Sequence, residues 1–245
     1  MTNVSDQYVG TREAARLLGV SEASVRRWSD AGLLSPHRVG RRGERRFTRS
    51  DVLQFRGSGR QGQSPQVGSV VLEGTGLPLH THLGAFYTTE RGQLRLAIPF
   101  LRDGLLAGQH CVVLANQETR QVFESELKAD GIDVDRAVSN GLLRLFAPSE
   151  TLDGGIDFYE RTFTEITRGG GSIIRMLAEA TQQKDSLGSM DLLMRFESAL
   201  EVLVHRFPVV LICQYDARKV LGPELVAALK LHADDFDHPL GMLLN

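Results

Sequence analysis

Two short amphipathic helices separated by a glycine are predicted near the N-terminus, and they constrain the fold more than any other feature of the sequence. Thr11 can cap the first helix, and Gly19 interrupts it. Ser21 can cap the second helix, in which Val25 and Trp28 are three positions apart and therefore share an apolar face. A helix, a tight turn containing glycine and a second helix form the arrangement that places the second helix in the major groove of DNA.

An arginine-rich segment follows the second helix, between Pro36 and Phe47. It contains Gly40 and Gly43. Its arginines are Arg38, Arg41, Arg42, Arg45 and Arg46. Two glycines among these arginines suit a β-hairpin, or wing, whose guanidinium groups bind phosphates.

A third short helix is predicted after the wing. Thr48 can cap it, and Val52, Leu53 and Phe55 are expected to face inward. With this helix, residues 1–56 form a predicted winged helix-turn-helix domain.

The first 56 residues resemble the winged-helix head of the MerR and excisionase family. The resemblance rests on the segments EAARLLGVS and VRRWSDAGLLSPHR and on the RRF that closes the wing. It implies that Arg26 and Arg27 lie on the recognition helix and that Arg45 and Arg46 lie on the wing. The residues expected to contact DNA are Ser24, Arg26, Arg27, Arg38, Arg41, Arg42, Arg45 and Arg46. The alternative is a small helical domain whose arginines form a solvated face.

Charge is divided unevenly along the chain. Residues 1–60 contain 12 basic and 6 acidic residues, whereas the rest of the chain contains 16 basic and 24 acidic residues. A basic surface attracts the phosphate backbone and an acidic surface is repelled by it. We therefore expect double-stranded DNA to contact only the N-terminal domain, and the C-terminal domain to have another role.

Composition is ordinary for a soluble globular protein, with 42% hydrophobic and 24% charged residues. No apolar run approaches the ~20 residues of a membrane span, so no membrane contact is expected. The first residues, MTNVSDQ, lack the basic region and apolar core of a signal peptide. Two cysteines provide no disulfide framework, and we expect a cytoplasmic protein.

A low-complexity segment separates the two predicted domains. From Gly57 to Ser69 it reads GSGRQGQSPQVGS and has almost no apolar content, so residues 57–77 are assigned to a flexible linker. The resemblance to MerR proteins would imply a long heptad helix for dimerisation, but no such pattern follows. A homodimer would therefore have to be held by residues 78–245 or by adjacent copies on DNA.

Residues 78–245 alternate between strand and helix patterns. The predicted strands are His82–Tyr87, Cys111–Ala115, Leu142–Phe146, Ser172–Ala178, Pro208–Cys213 and Leu240–Leu244. The predicted helices are Leu94–Ala107, Glu118–Ala129, Ile156–Ile166, Met190–His205 and Gly222–His232. The runs CVVLA and VVLIC are apolar throughout, which is typical of strands covered on both faces. Repeated β-α-β units predict an α/β fold with a doubly wound, mainly parallel sheet.

Ligands bind beyond the carboxyl ends of the strands in such a sheet. The residues at these ends are Phe86, Tyr87, Asn116, Glu179 and Cys213 to Asp216. No GxxxxGK[ST] motif is present, and no GxGxxG follows a predicted strand, because GSGRQG at residues 57–62 lies in the polar segment between the domains. The triplet Gly169–Gly171 precedes a strand, so nucleotide hydrolysis is not expected. No local signature joins a cysteine, a histidine and a carboxylate into a nucleophilic site, so the chain is predicted to have no cofactor and not to be an enzyme. His80 and His82 share a strand face, but nothing fixes further ligands, and no metal site is predicted.

The C-terminal domain resembles the sensory domain of the DcmR type over roughly residues 78–245. The motifs that carry the resemblance are HxxxFY, CVVLAN, IIRMLAEAT, RFESAL, VVLICQYD and a late histidine. The last segment reads HADDFDHPL, so both His232 and His238 are candidates for that histidine. The resemblance implies a RecA/KaiC-like fold that has lost its phosphate loop and a sensor of small molecules. The ligand-binding residues that it implies are His82, Tyr87, Glu179, Glu197, Cys213, Tyr215, Asp216 and His232.

We expect Tyr87, Glu179 and Cys213 to line one pocket, with His82 and Glu197 nearby. Each of these residues also has a plainer interpretation. A buried cysteine usually acts as a small hydrophobe, tyrosines at strand ends can close the core, and the glutamates can form salt bridges.

Two functions remain open from the sequence. The first is a transcription regulator whose C-terminal α/β domain senses a small-molecule effector. The alternative is a DNA-binding protein whose C-terminal domain docks another regulator, a signalling protein or RNA polymerase. A pocket with convergent polar groups favours the first, and a flat exposed apolar patch favours the second.

Overall fold

The computed structural model describes residues 8–18, 22–30, 34–40, 43–57, 69–72, 75–232 and 244. The chain divides into two compact units, residues 1–66 and residues 67–245. Within the described ranges, no helix has both the length and the apolar character needed to cross a membrane.

The N-terminal unit has the predicted winged helix-turn-helix order. Its described elements are β1 (Tyr8–Gly10), α1 (Thr11–Leu18), α2 (Glu22–Asp30), β2 (His37–Val39), β3 (Glu44–Thr48) and α3 (Arg49–Gly57). β3 lies between β1 and β2 and pairs antiparallel with both strands, and β2 and β3 form the wing. The predicted turn residues Gly19, Ser21 and Gly32 lie outside the described residues.

Apolar side chains from both helices and the wing form the core of this unit. Val25, Trp28, Phe47 and Val52 are buried. The ring of Trp28 lies 5.1 Å from the ring of Phe55, so α2 and α3 are held together by an aromatic contact.

The third helix begins as the sequence predicts, but one of its residues faces the other way. The Asp51 backbone N–H donates to Thr48 Oγ1 at 3.0 Å, which confirms Thr48 as the cap of α3. Leu53 was expected to face inward, and this prediction is wrong because its side chain is 44% exposed. Val52 and Phe55 lie three positions apart and share the inner face, whereas Leu53 is turned about 100° from Val52.

The C-terminal unit is an α/β domain. Its described elements are β4 (Ser69–Leu72), β5 (Thr75–Pro78), β6 (Thr81–Tyr87), α4 (Glu90–Leu106), β7 (His110–Leu114), α5 (Gln117–Ala129), α6 (Val134–Ser139), β8 (Leu143–Phe146), α7 (Leu152–Arg168), β9 (Ile174–Glu179), α8 (Ala180–Leu187), α9 (Met190–Arg206), β10 (Val209–Asp216) and α10 (Gly222–Leu231). Five of these strands form one sheet in the order β6-β10-β9-β7-β8, and every neighbouring pair is parallel. The predicted parallel α/β sheet is therefore confirmed.

Helices cover both faces of this sheet. On one face, α4 and α5 contribute Leu96, Phe100 and Phe123 to a core that includes Leu177 and Ile212 of the sheet. On the other face lies a second core. It contains Phe163 of α7, Leu193 and Phe196 of α9, and Met176 and Leu211 of the sheet. We call these the α4 face and the α9 face.

A β-hairpin occupies the second half of the segment that the sequence assigns to the linker. β4 and β5 pair antiparallel, and Val70, Leu72 and Leu77 are completely buried in the core of the α4 face. The linker prediction is therefore wrong for the strand residues 69–72 and 75–77. The strand pattern in VVL was overlooked because glycines and polar residues surround it.

Several boundaries differ from the sequence prediction. α8 was not predicted, because its sequence ATQQKDSL has no apolar stripe. α4 begins at Glu90 rather than Leu94, where Thr89 Oγ1 accepts the Gly92 backbone N–H at 3.0 Å. Most of the predicted strand Leu240–Leu244 lies outside the described residues, and Leu244 forms an isolated parallel bridge with Phe86.

Candidate functional site

The second helix presents Arg26 to solvent, as a recognition helix requires. Its guanidinium lies 2.9 Å from the Glu22 carboxylate one turn earlier, and its side chain is 57% exposed. Exposed ion pairs of this kind are weak, so Arg26 can exchange Glu22 for a phosphate or a base. Ser24 and Arg27 lie on the same helix, but their side chains are outside the described part of the chain.

The wing presents further predicted DNA contacts, Arg38 on β2 and Arg45 and Arg46 on β3. Arg38 is exposed, and Arg45 and Arg46 are half-buried. Arg46 Nη2 donates to the Glu44 carboxylate at 3.0 Å, and the two side chains are 40% and 60% exposed. The wing can therefore turn guanidinium groups toward a duplex at small cost.

Glycines shape the tip of the wing. Gly40 and Gly43 have φ of 76° and 62°, which glycine adopts far more easily than residues with a side chain. The Gly43 backbone N–H donates to Gly40 O at 3.0 Å and closes the turn. Arg41 and Arg42 stand between these glycines in the sequence and lie outside the described residues.

In the C-terminal unit, the predicted ligand-binding residues are divided between the two faces of the sheet. Successive residues of a strand point to opposite faces. Cys213 therefore lies in the core of the α9 face, whereas Tyr87 and Glu179 follow the parity of the α4 face. The expectation that Tyr87, Glu179 and Cys213 line one pocket is wrong. The prediction of one pocket was based on the rule that ligands bind at the carboxyl ends of the strands. This rule tells at which edge of the sheet a residue lies but not on which face its side chain lies.

Four predicted residues meet on the α9 face and form the histidine–cysteine–glutamate cluster (His82, Glu197, Cys213 and His232). His82 comes from β6, Cys213 from β10, Glu197 from α9, and His232 directly follows α10. All four are buried, and one nitrogen, oxygen or sulfur atom from each lies within 4.8 Å of the others. These residues are 16 or more positions apart in the sequence, so only the parallel pairing of β6 with β10 and the packing of α9 and α10 bring them together.

The distances in this cluster are those of direct contacts. His82 Nε2 lies 3.2 Å from Cys213 Sγ and 3.1 Å from His232 Nε2. Glu197 Oε2 lies 3.2 Å from His232 Nε2 and 3.9 Å from His82 Nε2. His82 Nε2 therefore stands at the centre of the group.

Neighbouring residues orient the cluster. Tyr215 Oη donates to Glu197 Oε2 at 2.7 Å, and the Tyr215 ring stacks on Phe86 at 5.1 Å. His232 Nδ1 lies 2.9 Å from Ala228 O, which can only accept, so Nδ1 carries a proton. In neutral His232, Nε2 then carries a lone pair that faces His82 and Glu197.

A second group on the α4 face forms the tyrosine–glutamate network (Tyr87, Gln93, Glu179 and Gln214). Tyr87 Oη donates to Glu179 Oε2 at 3.0 Å and accepts from Gln93 Nε2 at 3.3 Å. Gln214 Nε2 donates to Gln93 O at 3.0 Å. Among the described residues, Glu179 Oε1 and Gln214 Oε1 have no hydrogen-bond partner.

Burial dominates the electrostatics of this network. Glu179 is completely buried, and desolvation raises the pKa of its carboxyl from the usual 4.5 to about 7 even though Gln93 and Tyr87 stabilise the anion. Burial, with the nearby Glu179 charge as a smaller cause, also raises the pKa of the Tyr87 phenol. The network therefore holds a carboxyl group that titrates near neutral pH.

Asp216 has a different environment from the other predicted ligand residues. Both of its carboxylate oxygens accept from Arg218 at 2.8 Å, and these hydrogen bonds lower the pKa of Asp216. Its backbone N–H donates to Thr181 Oγ1 at 2.9 Å. Asp216 thus fixes the turn after β10, and its negative charge is a smaller cause of the raised pKa values of Glu179 and Tyr87.

A cavity of about 300 Å³ opens beyond the carboxyl end of β8. We call it the aromatic cavity, and its lining residues are Phe146, Ala147, Ser149, Gly154, Gly155, Phe158 and Tyr159. Tyr159 is buried, and its ring lies 6.4 Å from the ring of Phe196. Burial raises the pKa of the Tyr159 phenol, and the electrostatic effect of Cys213 raises it less strongly. Tyr159 therefore stands between the cavity and the cluster on the α9 face.

Sequence reasoning missed several residues that the structure brings into these sites. Gln214 lies inside the CQYD motif, and its position between Cys213 and Tyr215 already assigns it to the opposite face. Gln93 lies in the first turn of α4, which the sequence prediction began too late. The cavity residues carry no polar signature, so the sequence offers no signal for them.

Comparisons with known proteins agree with this two-unit organisation. The family model described as MEDS, the methanogen/methylotroph DcmR sensory domain, matches residues 81–233, and a helix-turn-helix domain model matches residues 8–60. A protein of Methylorubrum extorquens named transcriptional repressor DcmR is 31% identical over 247 residues. The alignment covers 96% of this chain and 93% of that protein.

Proposed function

This chain belongs to the family defined by the DcmR sensory domain, with a helix-turn-helix domain at its N-terminus, and we propose that it regulates transcription in response to a small molecule that its C-terminal unit binds. The observation that carries the proposal is the combination of two features in one chain. A winged helix-turn-helix exposes arginines, and a separate α/β unit has a cavity beside a buried polar cluster. The relative is named a repressor, and we propose the same sign of regulation here.

DNA binding is supported by the geometry of the N-terminal unit. Arg26 on α2 and the arginines of β2 and β3 are the types of group that bind phosphates and guanine edges. Their present partners, Glu22 and Glu44, lie in exposed ion pairs that compete weakly with DNA. A regulator of this kind acts in the cytoplasm, where it reaches DNA.

Replacing Arg26 by alanine is expected to weaken binding to a cognate site by about 1–3 kcal/mol, because a bidentate contact to a base is lost. The measurement is fluorescence anisotropy of a labelled operator, selected from a random pool with the full-length protein. Arg161→Ala, which removes an exposed arginine of α7, is the matched control and should leave the affinity unchanged. Equal affinities for Arg26→Ala and the wild type would exclude α2 as the recognition helix.

Small-molecule binding is supported by the aromatic cavity. A volume of about 300 Å³ is at the lower end of the range for ligand sites, and its walls include Phe146, Phe158 and Tyr159. Such walls favour a small, largely apolar compound with few polar groups. The histidine–cysteine–glutamate cluster lies on the same face of the sheet as Tyr159. Phe196 contacts Tyr159 and directly precedes Glu197 of the cluster, so a ligand that shifts Phe196 could also move Glu197.

Replacing Ala147 by leucine is expected to narrow the mouth of the cavity and to weaken binding of a retained compound by about tenfold or more. Ala147 is exposed at the cavity, so the larger side chain should not disturb the core. Mass spectrometry of compounds released from the natively purified protein identifies the probe, and calorimetric titration measures its affinity. Ala107→Leu, at an exposed position after α4, is the control. Unchanged affinity in Ala147→Leu would place the ligand elsewhere.

The proposal includes neither catalysis nor a bound nucleotide. RNA polymerase contact and homodimer formation stay predictions from the sequence. The alternative, a docking module for another protein, predicts an exposed apolar patch. The large apolar side chains that are exposed in the described part of the C-terminal unit are Val71, Leu106, Val122, Val138, Leu221, Val226 and Leu244.

A further inference from the structure

The ligand atoms of the histidine–cysteine–glutamate cluster are spaced as in a tetrahedral metal site. Zinc binds nitrogen and oxygen at about 2.0–2.1 Å and sulfur at about 2.3 Å, so the ligand atoms of a tetrahedral site lie about 3.3–3.6 Å apart. Four of the six distances in the cluster are 3.1, 3.2, 3.2 and 3.9 Å, and the other two, from Cys213 to Glu197 and to His232, are within 4.8 Å. Small rotations of the side chains would bring all four atoms to bonding distance of one ion.

One contact of His232, with Glu197, brings two hydrogen-bond acceptors together when the His232 ring is neutral. Its Nδ1 proton is directed at Ala228 O, so the Nε2 lone pair of the neutral ring faces Glu197 Oε2 at 3.2 Å. Glu197 Oε2 already accepts the Tyr215 hydroxyl. Two electron pairs facing each other in a buried site repel unless a cation lies between them, either an added proton or a metal ion.

Charge balance also favours a divalent ion. When they bind a metal, Glu197 as a carboxylate and Cys213 as a thiolate bring two negative charges into a site where both residues are 1% exposed. Isolated buried charges of this size are very costly, whereas one M²⁺ ion neutralises both. Two imidazoles, one thiolate and one carboxylate are a ligand set suited to zinc.

We infer that His82, Glu197, Cys213 and His232 bind one Zn²⁺ ion in a closed four-coordinate site. Because all four positions are filled by protein atoms, the ion has no place for a substrate and acts as a structural link. It connects β6 and β10 of the sheet to α9 and to the residue after α10. This site goes beyond the proposed sensing function and does not depend on the aromatic cavity.

Tyr215 is the positioning residue of this site. Its hydroxyl donates to the Glu197 oxygen that faces the histidines, and its ring is held by Phe86. Second-sphere hydrogen bonds of this kind orient a ligand and typically change metal affinity by about 10–100-fold. Tyr215→Phe keeps the ring and removes only the hydroxyl.

The test is metal binding by the full-length protein. After chelation and dialysis, the wild type should bind one Zn²⁺ per chain in a competition titration, with the same stoichiometry by elemental mass spectrometry. With Co²⁺ as the probe, it should show a thiolate-to-cobalt charge-transfer band and the intense visible bands of four-coordinate geometry. Cys213→Ser should lose the charge-transfer band, and Tyr215→Phe should bind Zn²⁺ about 10–100-fold more weakly.

Cys111→Ser is the matched control. Cys111 is equally buried but lies in the core of the α4 face, and burial raises the pKa of its thiol to about 12. This variant should keep both the stoichiometry and the band. Far-UV circular dichroism shows whether each variant is folded, and if Cys213→Ser is not, Tyr215→Phe alone decides.

Three results would overturn the inference. The first is a folded wild type that binds no Zn²⁺ at equimolar concentration, which would show that the cluster is held by a proton on His232. The second is Zn²⁺ affinity unaltered in Tyr215→Phe, and the third is a charge-transfer band lost from Cys111→Ser and kept in Cys213→Ser. None of these results would bear on DNA binding or on compounds in the aromatic cavity, so the proposed function would stand.

Discussion

Replacing Trp28 by alanine is expected to unfold the N-terminal unit and to abolish DNA binding while the C-terminal unit stays folded. Trp28 is 1% exposed and packs against Phe55, so it joins α2 to α3. Removing a buried aromatic ring of this size costs about 3–5 kcal/mol. A unit of this size, residues 1–66, has a free energy of unfolding of only a few kcal/mol. The cost of the substitution is therefore comparable to the total stability of the unit.

Differential scanning calorimetry and operator binding of the full-length variant measure this effect together. We expect the transition of the N-terminal unit to disappear and that of the C-terminal unit to remain. Trp28→Phe, which keeps an aromatic ring, is the control and should retain most of the DNA affinity. If Trp28→Ala bound operator like the wild type, the core assigned to this unit would be wrong.

Replacing Glu179 by glutamine is expected to stabilise the C-terminal unit at alkaline pH and to have a much smaller effect on its stability at pH 5. Burial raises the pKa of Glu179 from 4.5 to about 7. Below pH 4.5 the carboxyl is protonated in both the folded and unfolded states. Between these two values the unfolded chain loses the proton and the folded chain keeps it, so the free energy of unfolding of the wild type falls as pH rises.

Above about pH 7 this loss is complete and amounts to about 3 kcal/mol at most. Glutamine keeps the hydrogen bond from Tyr87 and cannot ionise, so Glu179→Gln should lack this decline. Urea unfolding between pH 5 and pH 9, followed by circular dichroism, measures the difference. Glu126→Gln, an exposed carboxyl of α5, should follow the wild type. A Glu179→Gln curve parallel to the wild type would contradict the assigned titration.

Local signals explain why the N-terminal unit could be predicted well. A cap such as Thr48, paired glycines such as Gly40 and Gly43, and apolar residues at helical spacing act within a few positions of the chain. The structure confirms the wing and the α3 cap from these signals. Leu53 was misplaced because three apolar letters in a short helix do not specify which two face the core.

The sites of the C-terminal unit depend on long-range arrangement, so the sequence predicted them only in part. Family motifs named His82, Glu197, Cys213 and His232, but their meeting point depends on strand register and on the packing of α9 and α10. Successive side chains of β10 point to opposite faces of the sheet, so Cys213 and Gln214 lie on different faces. A rule that considers only where strands end does not distinguish the two faces.

The β4–β5 hairpin and the aromatic cavity could not be predicted from the sequence. β4 and β5 bury Val70, Leu72 and Leu77 in a segment whose composition indicates a tether. The aromatic cavity lies where β8 ends and α7 begins, and none of its lining residues is charged. Shape of this kind arises from packing and leaves no motif.

One titration measures whether binding of the small molecule changes the affinity of the protein for DNA. The affinity of the full-length protein for its selected operator is measured after the retained compound has been removed, and again after the purified compound has been restored. For the wild type, we expect the compound to change the dissociation constant for the operator by about 5–150-fold. Ala147→Leu should bind the operator as the compound-free wild type does, and its operator affinity should change only at a correspondingly higher concentration of the compound. Superimposable wild-type isotherms with and without the compound would contradict this expectation.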